Sequence, residues 1–138
     1  MCLSIVYVVC CLFISNAASL FMDSCEIYPN GYVTENETEI QTVPLSCLSG
    51  TVDWPYPTGK LELNFKQKVP FELCLKEWIA GRLLTIFDNS HGEHKQIKVL
   101  SSDTNQCIES NGLNAVLEIK GPEYMMYVAG FAYKINLK

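Results

Sequence analysis

Apolar and polar residues alternate along much of this chain with the two-residue period of a β-strand. Leu61, Leu63 and Phe65 point one way while Lys60, Glu62 and Asn64 point the other, so one face of this stretch is buried and one is wet. The closing stretch repeats the pattern, with Phe131, Tyr133, Ile135 and Leu137 sharing a side. Phe71 to Leu75 is apolar on both faces, which suits a central strand. Further strands are expected over Ile40 to Leu48, Arg82 to Phe87 and Lys95 to Leu100, with Pro44 tolerable only at an edge. Cys107 to Ile108 and Ala115 to Ile119 flank a Ser110-Asn111-Gly112 turn. Before these, Asp23 to Glu39 is an acidic turn and exposed loop around Pro29-Asn30-Gly31. No segment holds an apolar period of about 3.6 residues over three turns. Short strands punctuated by Gly and Pro predict an all-β sandwich.

The strands are organised around Leu45 to Phe65, where a cysteine-anchored strand meets Trp54-Pro55-Tyr56-Pro57-Thr58-Gly59 and leaves as a second strand. Prolines lack an N–H and hold their predecessors extended, so this corner breaks the ladder and presents Trp54 and Tyr56 from a stiff frame. Two roles are open to these rings: plugging the end of the core, or contacting a ligand.

The N-terminus changes the domain count. Leu3 to Ile14 is an uncharged apolar run too short to span a bilayer, followed by the small residues Ser15, Ala17 and Ala18. Residues 1–18 are therefore expected to be a cleaved signal peptide and 19–138 a single domain. A cut after Ala17 best fits the small-x-small rule, with Ala18 and Ser19 as neighbouring choices. No second run of spanning length follows, so the product is expected to be secreted and extracellular, with no membrane insertion after signal cleavage.

Cleavage lowers the cysteine count from seven to four, leaving Cys25, Cys47, Cys74 and Cys107. In a small secreted domain these make two disulfides, for which the sequence permits three pairings. The sequential one, Cys25 with Cys47 and Cys74 with Cys107, is favoured, each bond contributing roughly 3 to 4 kcal/mol in the chain-entropy view. Without a C-x-x-C pair a zinc site is the weaker use of these sulfurs. Asn36-Glu37-Thr38 is an N-glycosylation sequon in a loop setting.

A net charge of −5 with no basic stripe excludes a nucleic-acid partner. Candidate chemistry is confined to Asp88, His91, Glu93 and His94, where two imidazoles three residues apart could share a metal or a carboxylate could orient a base. A polar hairpin carries the same residues. There is no G-x-S-x-G elbow or phosphate-cradling loop, and all four remaining cysteines have partners available, so no enzyme is expected.

Cys47, Gly50, Trp54, Tyr56, Pro57, Thr58, Gly59 and Leu61 together resemble the corner motif of the meteorin family. The likeness continues in order through Cys74, Leu83, Leu84, Asp88, Gly92, Cys107, Gly130, Phe131 and Tyr133, spanning Cys25 to Leu137. It covers the family's first domain; the cysteine-rich netrin-like domain that follows there has no counterpart before Lys138. The resemblance implies a CUB-like β-sandwich with sequential disulfides, and a secreted signalling or binding factor whose partner is an extracellular receptor or ligand. It supplies no catalytic residue and no cofactor. Many CUB domains hold calcium through loop carboxylates, one of them just before the strand that here begins at Arg82; Gly81 stands there and offers none. Candidate contacts are Trp54, Tyr56, Tyr124, Met125, Met126 and Tyr127, because exposed aromatics and methionines anchor interfaces, although Met125 and Met126 suit a core equally. Two rival expectations stand beside this one: a self-associating extracellular structural protein pairing through an edge strand, and a small secreted metal-dependent enzyme centred on His91 and His94.

Overall fold

The computed structural model describes residues 25–29, 37–54, 59–121 and 128–138. The expected signal peptide, Asn36, Tyr56 with the rest of the Pro55–Thr58 corner, and Tyr124, Met125, Met126 and Tyr127 lie outside the described residues.

Among the described residues, ten strands form two five-stranded sheets. They are β1 Glu26–Ile27, β2 Thr38–Thr42, β3 Ser49–Trp54, β4 Lys60–Lys66, β5 Phe71–Ile79, β6 Thr85–Asp88, β7 Lys95–Gln96, β8 Gln106–Glu109, β9 Asn114–Lys120 and β10 Ala129–Leu137. The first sheet runs β1-β3-β10-β5-β8 and the second β2-β4-β9-β6-β7. β1 on β3 and β2 on β4 pair in parallel, and the other ladders among the described residues are antiparallel.

Alternation in the sequence dictates which side chains meet between the sheets. Leu61, Leu63 and Phe65 of β4 are all but inaccessible, as are Leu117 and Ile119 of β9 and Phe71, Leu73 and Leu75 of β5. Phe131, Tyr133 and Ile135 of β10 close the core from the first sheet, and the Tyr133 ring meets Phe65 edge-on at 5.3 Å across the sandwich. Leu137, expected on the same side, is half exposed because β10 outruns the core there. Both disulfides follow the sequential pairing, Cys25–Cys47 and Cys74–Cys107. The first ties β1 to the segment leading into β3, and Cys47 is wholly buried. The second links β5 to β8 through residues directly opposite in the ladder.

Several local expectations are corrected. The strand expected over Ile40 to Leu48 is β2, which stops at Thr42: Val43 turns into the core and Pro44 accepts a hydrogen bond from the Cys47 amide. Arg82 and Leu83 belong to a 3-10 turn, Gly81–Leu83, entered through Ala80 at φ 45°. Lys95 to Leu100 keeps only the two residues of β7. The turn at Ser110-Asn111-Gly112 is present and does not make a hairpin, because β8 lies in the first sheet and β9 in the second. The chain crosses between layers there, its turn closed by paired hydrogen bonds between Asn111 and Asn114.

Candidate functional site

Two surfaces deserve comparison: the polar β6–β7 turn picked out by the sequence, and an apolar end of the first sheet.

The turn is built by local hydrogen bonding. Asp88 is buried and its Oδ1 accepts from the Ser90 amide at 2.9 Å, while Ser90 Oγ accepts from the Val116 amide and the Ser90 carbonyl accepts from Asn111 Nδ2. Gly92, at φ 76°, completes the reversal in a conformation that a side chain would strain. Beside the turn lies an open cavity of 420 Å³, lined by Asp88, His91, Glu93 and Lys95 from the hairpin and by Cys107, Ile108 and Glu109 from β8.

The two histidines do not converge on it. His91 Nε2 sits 3.1 Å from the Glu109 carbonyl, a contact that needs the proton on Nε2. His94 turns the other way: its ring stacks on Phe87 at 3.9 Å and its Nδ1 lies 2.8 Å from Asn89 Oδ1, with the Lys120 ammonium also 4.9 Å from the Phe87 ring. These contacts turn the two imidazoles in different directions, whereas a metal shared by His91 and His94 needs both rings to face one point. Among the described residues, the metal-ligating set whose donor atoms gather within 4.8 Å is Glu72, Cys74 and Cys107, and its sulfurs are bonded to each other rather than available as thiolates.

Of the two roles open to Trp54, the core plug is the one observed, and the candidate contact is corrected. Trp54 pairs with Ala129 across the ladder and is only 2% exposed, so it plugs the core and has no surface to offer a partner. The exposed tryptophan is instead Trp78, at 64%, a residue outside the sequence-predicted contacts. β5 runs past the core at this end, where the alternation that sends Leu73 and Leu75 inward sends Trp78 outward. Ile79 follows it, Leu83 stands on the 3-10 turn, and Val128 precedes β10; each is at least two-fifths exposed. Two glycines let this end close: a Cβ on Gly81 would lie 2.6 Å from the Gly130 carbonyl, and Ala80 bridges to Gly130. Arg82 reaches back to Glu77 at 3.5 Å, a surface pair of little energetic weight.

On the opposite edge of the same sheet Glu26, Tyr28 and Asp53 form an acidic group. Tyr28 donates to Glu26 at 3.2 Å, and that hydrogen bond, with the nearby negative charge, holds its hydroxyl above the usual range. Desolvation, followed by repulsion from Glu26, pushes the Asp53 carboxyl up, against a weaker opposing hydrogen bond from Thr51.

Family models and curated proteins give no match to the sequence. Among solved structures, the periplasmic inhibitor of g-type lysozyme from Salmonella Typhimurium shares 10% identity, with 71% of this chain and 98% of that one aligned at a TM-score of 0.48. Its counterpart from Aeromonas hydrophila shares 9%, covering 72% and 100% at 0.43. The pre-peptidase C-terminal domain of a Bacillus anthracis collagenase shares 9%, covering 78% and 100% at 0.44. At such identities and TM-scores these neighbours identify no ligand or partner for this chain. Among the described residues no helix is long and apolar enough to cross a membrane.

Proposed function

We propose that this chain is a secreted, non-catalytic binding factor that acts on an extracellular protein, a receptor or a secreted ligand, in the manner implied by its resemblance to the first domain of the meteorin family. The observation that carries this reading is Trp78, 64% exposed on the outward face of β5 where that strand runs past the core. Tryptophan on a rigid strand supplies large contact area at small entropic cost, which is why it recurs as an anchor at protein interfaces. Two disulfides suit a domain that folds in an oxidising compartment, and the expected signal peptide leads there. The divergent contacts of His91 and His94 leave the polar turn as scaffold.

The test is crosslinking of oxidised, mature protein to living cells of its source or natural host. Enrichment of one surface or secreted protein, abolished by Trp78→Ser in a variant that keeps its circular dichroism, supports the reading. Equal capture by Trp78→Ser refutes the face, and no capture above protein reduced in denaturant refutes the function. A sedimentation coefficient that climbs with concentration would favour the self-associating alternative instead.

A further inference from the structure

The two disulfides occupy different environments. Each has one buried end, Cys47 and Cys74, but the other end differs: Cys25 is half-buried and Cys107 is exposed. Cys74–Cys107 lies on the outward side of the first sheet, since Cys74 shares the direction of Glu72 and Lys76, and its Cys107 end is exposed and lines the open 420 Å³ cavity. Cys107 is carried by β8, a four-residue strand at the sheet edge that among the described residues ladders with β5 alone. The same sheet keeps its remaining ladders without β8.

We propose that Cys74–Cys107 is a thiol–disulfide exchange site, opened by a dithiol reductant that attacks Cys107 from the cavity, while Cys25–Cys47 is the permanent staple. Exposed disulfides are the exchangeable ones because a thiolate must reach a sulfur along the S–S axis. The reductant's thiolate bonds to Cys107 Sγ, the Cys74–Cys107 bond breaks, and its electron pair leaves on Cys74 Sγ, which takes a proton from water. The reductant's second thiol then attacks the mixed disulfide and expels Cys107. The bond gains two electrons and two protons, becoming two thiols, and the dithiol becomes a disulfide.

Glu72 restrains this step. Its Oε1 lies 3.2 Å from Cys74 Sγ, so the departing thiolate forms beside a carboxylate and is a poorer leaving group than an isolated thiol. Asn136 Nδ2, 3.6 Å from the same sulfur and 3.3 Å from Glu72, is the neutral donor that faces both.

Folded mature protein treated briefly with dilute dithiothreitol, trapped with N-ethylmaleimide and mapped by mass spectrometry tests the assignment. Cys74 and Cys107 are expected to be labelled together, about tenfold faster than Cys25 and Cys47, with far-ultraviolet circular dichroism unchanged. Glu72→Gln is expected to quicken that labelling on the order of threefold. Simultaneous labelling of all four cysteines, labelling of Cys25 and Cys47 first, or labelling only after unfolding would overturn the exchange site. An unchanged rate in Glu72→Gln would remove the restraint assigned to Glu72.

Discussion

The chain has two tryptophans, and the structure gives them opposite roles, which makes their alanine variants a stringent paired test. Trp54 is 2% exposed and ranks among the largest fully buried side chains. Truncating it removes the transfer energy of an indole and leaves a cavity that the flanking β-ladder cannot collapse, a cost of about 3–5 kcal/mol. Against a total stability of about 5–15 kcal/mol for a domain of this size, that is a large fraction. Trp78→Ala, at a 64% exposed position, is expected to stay within about 0.5 kcal/mol. Urea unfolding followed by far-ultraviolet circular dichroism, with both disulfides intact, measures the difference without relying on the indole being removed. With a denaturant slope of about 2 kcal/mol per molar, the Trp54→Ala midpoint falls on the order of 2 M while that of Trp78→Ala hardly moves. Fluorescence checks the same assignment independently: Trp78→Ala retains a blue-shifted emission that iodide quenches poorly, and Trp54→Ala, where it folds, retains one that iodide quenches readily. Equal destabilisation by the two substitutions, or ready quenching of Trp54 in Trp78→Ala, would refute the division between core plug and surface anchor.

Gly50→Ala tests a close approach: the new Cβ would sit 2.1 Å from the Cys25 carbonyl and 2.7 Å from the Tyr133 hydroxyl that donates to it. Backbone must move to admit it, so a loss of about 1–3 kcal/mol is expected, with faster amide exchange in β1. Asp53→Asn tests the acidic edge. A carboxyl whose pKa rises on folding binds its proton more tightly when native, so its contribution is fully present below the ordinary value of 3.8 and is lost as pH rises through the raised value. Asn, which carries no charge to desolvate or repel, should therefore stabilise the protein relative to the parent above that window and show no advantage below it, as read from urea midpoints across an acid-to-neutral pH series.

Strong alternation was legible because it reports burial directly. Lys60 to Phe65 falls within β4, and each inward position there is essentially inaccessible. The doubly apolar Phe71 to Leu75 falls in β5, inside the first sheet, though the outward Cys74 is covered by its disulfide rather than by a second layer. Where the reading failed or stopped short, local chemistry was compatible with more than one long-range partner. Ser110-Asn111-Gly112 supplies a turn, but a turn says nothing about whether the next strand joins the same sheet or the facing one; that is decided by which layer needs Leu117 and Ile119. Arg82 and Leu83 carry strand-like letters, yet Ala80 bridging to Gly130 and the Gly81–Gly130 contact draw that segment into a 3-10 turn.

The site was less legible than the fold for a related reason. The proline corner left Trp54 two roles, core plug or ligand contact, and phase along the strand decides for the first: Trp54 is two residues from the buried Val52 and therefore faces inward with it. The same count applied to β5 places Trp78 out of step with Phe71, Leu73 and Leu75, so its exposure could have been inferred from the alternation alone. What that count cannot supply is that Val128, distant in sequence, comes to the same end of the sheet, where the β5–β10 ladder and the Ala80–Gly130 bridge bring it. His91 and His94 illustrate the converse. Three residues apart in a tight turn, they were free to converge or diverge, and the choice was made by tertiary partners, the Glu109 carbonyl for one and the Phe87 ring for the other. His91 and His94 are thus parted because one is held by a strand of the first sheet and the other by a strand of the second, while residues far apart in sequence are gathered by the β5–β10 ladder.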